Sequence, residues 1–90
     1  MYLAKVIGTV VSTSKDERLV GCKLLLTRRI DEHGNGVADP IIAIDNVGAG
    51  TGEVVIVTTG SAARRATGRD DGPIDATIVG IVDAVEVEAS

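Results

Sequence analysis

Tyr2-Leu-Ala-Lys-Val-Ile-Gly-Thr-Val-Val-Ser-Thr13 is the stretch that decides the fold. Read with the two-residue period of a strand, it places Leu3, Ile7, Thr9 and Val11 on one face and Ala4, Val6, Gly8 and Val10 on the other. Both faces are largely apolar. A strand covered on both sides belongs in a closed barrel, or in a barrel with a neighbouring subunit against its outer wall. Gly8 in its middle signals a bulge or a close backbone approach, such as a small barrel needs to turn its corners.

Outward from this strand, the polar run Ser12 to Arg18 is a loop, and a second strand runs from about Cys22 to Ile30. Its Leu24, Leu26 and Ile30 share one face, while Lys23, Leu25, Thr27 and Arg29 share the other. Asp31-Glu-His-Gly-Asn-Gly36 is a turn by its chemistry, and Pro40 opens a short strand, Ile41 to Asp45. A glycine-rich loop, Val47-Gly-Ala-Gly-Thr-Gly52, leads into a strand from Glu53 to Thr59. Helix is favoured in one place, Ser61-Ala-Ala-Arg-Arg-Ala66, where Ser61 is a plausible N-cap. It amounts to barely more than one turn. A polar, mobile loop from Thr67 to Pro73 precedes the last long strand, Ile74 to Val87. Five strands with one helical turn before the last predict an all-β fold, a five-stranded OB-like barrel formed by residues 1–90 as a single domain.

Composition says what such a barrel is built from. The 90 residues include 13 Val, 9 Ile and 5 Leu, but Tyr2 is the sole aromatic. A fold of this size buries only ~60–65% of its unfolded surface. With no Phe, no Trp and a single cysteine, Cys22, it lacks both aromatic packing and an internal disulfide, a motive for self-association. The lone thiol suits a reducing compartment, and neither a leader-like segment nor a membrane-length apolar run is evident, so a cytoplasmic location is expected.

Net charge is −4, and after Arg69 no basic residue follows, while Asp70, Asp71, Asp75, Asp83, Glu86 and Glu88 do. This opposes nucleic acid as a partner, as does the want of aromatics for base stacking. The acidic stretch reads as a solvated strand edge and tail that resist edge-to-edge pairing.

Catalytic chemistry finds little support. Gly48-Ala-Gly50-Thr-Gly52 brings glycines together as a phosphate loop does, but it ends in Gly-Glu and opens a strand, so tight turning and close packing are the better reading. A nucleophile needs a base beside it, and His33 is the only histidine. Nothing in the sequence joins it to Cys22. One Cys and one His fall short of a structural zinc site, and the pairs Asp31-Glu32 and Asp70-Asp71 sit in loops where no burial would raise a pKa. No enzyme, metal or cofactor is expected. Arg64-Arg65, with Arg69 nearby, forms a basic patch that meets a neighbouring subunit's carboxylate or solvent, with Asp45, Glu53 and Asp75 as the candidate carboxylates.

Taken in order, five stretches resemble the EutN/CcmL family, the pentameric vertex proteins of bacterial microcompartment shells. They are Leu3 to Ser12, Gly21 through Lys23-Leu-Leu-Leu26, Ala43 to Gly50 with Gly52-Glu53, Gly60-Ser-Ala-Ala-Arg64, and Pro73 to Asp83. Each is short, but their order and spacing cover nearly the whole chain. The turn from Asp31 to Pro40 and the loop from Arg65 to Gly72 depart from the family pattern. The resemblance implies an OB-like barrel, a homopentamer of about 5 × 9.2 = 46 kDa, and a place at the corners of a shell among hexameric tiles. It also implies that Gly48, Ala49, Gly50 and Gly52, with Ser61 and Arg64, serve subunit packing or the rim; Asp45 and Glu53 complete the candidate set. A small OB-type module binding single-stranded nucleic acid or a small ligand is the alternative.

Overall fold

The computed structural model describes residues 1–13, 15–68 and 74–88. Its elements are β1 (Tyr2–Val10), a 3-10 turn (Glu17–Leu19), β2 (Lys23–Arg29), β3 (Ile41–Asp45), β4 (Val54–Thr59), α1 (Gly60–Thr67) and β5 (Ala76–Val82). The strands close into a barrel in the order β1-β2-β3-β5-β4. All neighbours are antiparallel except β3 and β5, whose parallel contact is confined to Ile44 beside Thr77 and Asp45 beside Ile78. This is the five-stranded barrel that the pattern predicts.

Closure of so small a barrel requires local breaks in register, and one falls in β1 between Val6 and Gly8, opposite Thr27 and Leu26. Gly8 therefore marks a bulge. A Cβ built on it meets nothing within 4 Å, so close approach is not its role. A second irregularity lies between Ile56 and Val57 of β4, against β5. Bulges of this kind bend a strand and increase its twist, which the sharp curvature of a narrow barrel demands.

The barrel interior is formed by Ala4, Val6, Leu25, Ala43, Ala49, Val55, Val57, Ala76 and Ile78, with Tyr2 packed against them. Fully burying a side chain such as Leu25 or Ile78 contributes about 1.5–3 kcal/mol each. On β2, Leu25 and Thr27 point inward, while the more apolar Leu24 and Leu26 lie on the outer face, half-buried. Leu24 is not wasted there. Together with Leu19 and Cys22 it packs against a smaller outer cluster of Ile44, Ala63 and Ile74, in which α1 lies against the wall.

Several boundaries differ from the sequence pattern; β5, for one, begins at Ala76 and not at Ile74. β1 ends at Val10 and not at Thr13, leaving Val11 89% exposed. β5 ends at Val82 and not at Val87, because β4, its antiparallel partner, begins at Val54. The helix is longer than expected, and its cap position is taken by Thr59 rather than Ser61, without a side-chain capping bond. It stops at Gly68, whose left-handed backbone (φ 69°) lets its amide meet the carbonyls of Arg64 and Arg65. Residues 69–73 of the expected mobile loop lie outside the described residues.

Candidate assembly site: the glycine loop and the helical turn

Asp45 organises the loop that follows it. Its side chain is 1% exposed, and Oδ1 accepts the amides of Val47 (3.1 Å) and Gly48 (3.2 Å). On the other side Oδ2 meets Lys23 Nζ at 3.3 Å. The same ammonium donates to the Ala49 carbonyl at 2.6 Å, so one cation ties the carboxylate and the loop backbone together. Burial pushes the Asp45 carboxyl upward, but the amides of Val47 and Ala49 and the Lys23 ammonium outweigh it and hold the pKa below the ordinary carboxylate range.

The second half of the loop is fixed from Glu53. Its Oε1 accepts the Gly50 amide at 2.7 Å, and its own amide donates to the Gly50 carbonyl at 3.1 Å. Gly52 N donates to Val6 O (2.8 Å) and Val6 N to Glu53 O (2.9 Å), which staples the loop to β1. Ala49, fully buried, plugs the barrel interior. Positive φ is required at Gly48 (82°) and Gly52 (93°). Gly50 has no such requirement, and a Cβ there would sit 3.6 Å from Glu53 Oε1, an ordinary contact.

Asn46 links this loop to the helix, its Nδ2 donating to the Ala66 carbonyl at 3.0 Å. Inside the wall, Thr77 Oγ1 donates to Ala63 O at 3.0 Å. Arg64 is half-buried and reaches the Ile74 carbonyl at 3.4 Å, whereas Ser61 is exposed at the opposite end of the helix. Neither Arg64 nor Arg65 forms an ion pair among the described residues. Asp45 and Glu53, candidate partners for the arginines, each bind within their own chain, Asp45 to Lys23 and the loop amides and Glu53 to the Gly50 amide. Sequence reasoning missed Lys23 and Asn46. Their partners lie 22 and 20 residues away, a separation to which strand periodicity is blind.

Elsewhere the polar side chains also serve the chain itself. Asp31 accepts the amides of His33 and Asn35, both at 2.9 Å, closing the turn. His33 is solvent-facing beside Glu32 (3.6 Å), and Cys22 is half-buried against the outer cluster. The Arg29 guanidinium lies over the Tyr2 ring, 4.9 Å from its centroid, and the ring packs partly buried against the core. Among the described residues no group of three metal-ligating side chains is found, and no helix is long and apolar enough to cross a membrane.

The charged and polar side chains described above hold the loops of a closed barrel. Comparison with known proteins identifies which kind of protein it is. The family model described as "Ethanolamine utilisation protein EutN/carboxysome" matches residues 1–83. The bacterial microcompartment shell vertex protein GrpN of Rhodospirillum rubrum is 57% identical over 86 residues, covering 96% of this chain and 97% of that protein. The carboxysome shell vertex protein CcmL of Synechocystis sp. is 53% identical, covering 97% and 87%. Among solved structures, the pentameric shell protein GrpN superimposes with a TM-score of 0.88 at 52% identity, over 98% of this chain and 100% of that one. CcmL of Nostoc sp. gives 0.90 at 50% identity, over 98% and 93%. The chain belongs to the EutN/CcmL family, whose named members are shell vertex proteins, and its role is that of a structural shell protein and not of an enzyme.

Proposed function

We propose that the chain, acting over residues 1–90 as one barrel unit, closes into a homopentamer at the corners of a microcompartment shell, flanked by hexameric tiles. The observation that carries this is the match, along nearly its full length, to a GrpN structure described as pentameric. The physical argument agrees: a barrel with one aromatic residue leaves Ile7, Ile41, Ile42, Val47 and Ile81 more than a third exposed, surface that a ring would cover. Flat layers of six-fold units cannot close, and five-fold units supply the missing curvature. In this reading the outer surfaces of the Gly48 to Gly52 loop and of the Ser61 to Arg64 turn face neighbouring subunits or tiles, while Asp45 and Glu53 act behind them by holding the loop in shape. Native mass spectrometry tests the ring directly. A species of 5 × 9.2 = 46 kDa is expected. Monomers or dimers alone at micromolar concentration would refute it.

A further inference from the structure

The chain has two side-chain amides, Asn35 and Asn46, and no glutamine. The fold treats the two in opposite ways. Asn46 donates through Nδ2 to the Ala66 carbonyl (3.0 Å), and the residue after it, Val47, has a branched side chain and an amide already bound to Asp45 Oδ1 (3.1 Å). Asn35 stands in the exposed turn between β2 and β3, and the residue after it is Gly36, which has no side chain to crowd an approach.

The hydrogen bonds of this turn leave one nucleophile free beside Asn35. Asp31 N donates to Asn35 O (2.9 Å) and Val37 N to Arg29 O (3.0 Å), so the two bonds bracket the bridge of Gly36 with Ile30 and put Gly36 at its non-hydrogen-bonded position. The Gly36 amide therefore has no acceptor among the described residues. The bond from Asp31 falls on the carbonyl of the same peptide unit and draws electron density from it, which makes that N–H easier to ionise. Asp31 also steadies the rest of Asn35: Oδ1 accepts its backbone amide (2.9 Å), and Oδ2 accepts Nδ2 over a long 3.4 Å that the side chain can give up.

We propose that Asn35 is a site of spontaneous deamidation built into this turn. The Gly36 nitrogen, its proton passed to solvent, attacks Cγ of Asn35, and the new N–Cγ bond closes a five-membered succinimide. The Cγ–Nδ2 bond breaks with its electron pair, and Nδ2 takes up a proton from water and leaves as ammonia. Water then reopens the ring. Addition at the backbone carbonyl gives isoaspartate, and addition at Cγ gives aspartate. Both products undo the turn. Each replaces a donor to Asp31 Oδ2 with a carboxylate, setting like charges side by side. Isoaspartate also routes the main chain through Cβ and Cγ, so the carbonyl that accepts the Asp31 amide leaves the backbone. The turn between β2 and β3 thereby loosens as a copy ages, with water as the sole co-reactant and no partner required.

Ageing the full-length chain in mildly alkaline buffer, until a synthetic peptide of residues 29–38 has converted, tests this by intact mass and peptide mapping, with far-UV circular dichroism reporting the fold. Wild type is expected to gain about 1 Da, the exchange of NH2 for OH, at Asn35 and not at Asn46. Gly36→Ala, which requires the Arg28 stem 2.8 Å away to move aside, should age about tenfold more slowly. Hydrogen exchange at the Asp31 and Val37 amides should be about tenfold faster in aged than in fresh wild type. Wild type that keeps its mass while the peptide converts overturns the proposal, because the fold then shields the amide. A gain at Asn46, or Gly36→Ala ageing at the wild-type rate, overturns it equally, and unchanged exchange overturns the loosening. Asn35→Ser leaves Gly36 in place and does not depend on the alanine variant folding: it should keep its mass, and a gain of about 1 Da that persists in it refutes the site. The reaction is intramolecular, so a wild type that forms no ring leaves this result standing.

Discussion

Replacing Asp45 separates the two tasks its carboxylate performs. Asp45→Ala removes the acceptor for the Val47 and Gly48 amides and the counter-ion of Lys23 in one step. A hydrogen bond to a charged group contributes about 1.5–3 kcal/mol, and the exposed Val47 and Gly48 amides can turn to water once their acceptor is gone, so no further desolvation cost is added. Because Lys23 is half exposed, its ion pair adds little after screening. The expected loss for Asp45→Ala is therefore about 3 kcal/mol, driven by the amides. Asp45→Asn keeps an oxygen where Oδ1 stands but loses the charge and turns an NH2 toward the half-exposed Lys23 ammonium, so about 1 kcal/mol is expected. For a unit of this length each kcal/mol shifts Tm by about 4–8 °C. Thermal unfolding at fixed protomer concentration reads the difference, since assembly makes Tm concentration-dependent. Acidity supplies an internal control. The folded-state pKa of Asp45 lies below its unfolded value of about 3.9, so its contribution is present above that pH and is lost as pH falls through the folded value. The gap between wild type and Asp45→Asn should narrow below pH 4. Equal losses for Ala and Asn, or a gap indifferent to acid, would refute the account of the loop given above.

Two further substitutions probe the same region. Gly52→Ala forces a side chain to φ 93° and should cost about 1–2 kcal/mol in urea titration, whereas Gly50→Ala should leave the barrel's stability unchanged within error. If Gly50→Ala weakens the ring while the fold persists, the loop's outer surface is a contact. Thr77→Val, which preserves shape but removes the donor to the Ala63 carbonyl, should cost about 1 kcal/mol and loosen α1, seen as faster amide exchange in residues 63–67. Leu25→Ala, deep in the interior, should cost about 2–5 kcal/mol by the same titration.

The fold was legible because its decisive signals are local. Pro40 and Asp45 bracket β3, which the structure places at the same bounds. A strand apolar on both faces announced the barrel, and Gly8 announced its bulge. Less legible was anything set by a partner far along the chain. Period two separates the faces of β2, yet which of them turns inward depends on α1 and Ile74 covering Leu24 from outside. The overrun of β5 has the same origin: Val85 and Val87 read as strand, but among the described residues no strand is there to receive them. For the candidate site, Gly48 and Gly52 carry the left-handed backbone that the glycine pattern suggested, while Gly50 does not. The pairing of Asp45 with Lys23 was not legible, since nothing in the sequence ties the two.

The alanine-rich lumen bears on what can cross a shell. Ala4, Ala43, Ala49 and Ala76 fill the interior together with Val6, Leu25, Val55, Val57 and Ile78, and Ala49 brings the glycine loop into that packing. A corner built from five such packed barrels offers its passages between subunits and not through them. Permeation there is decided by the seam between copies and by the axis they surround, so tuning leakage means altering outward-facing side chains, and the interior is free to be optimised for stability alone.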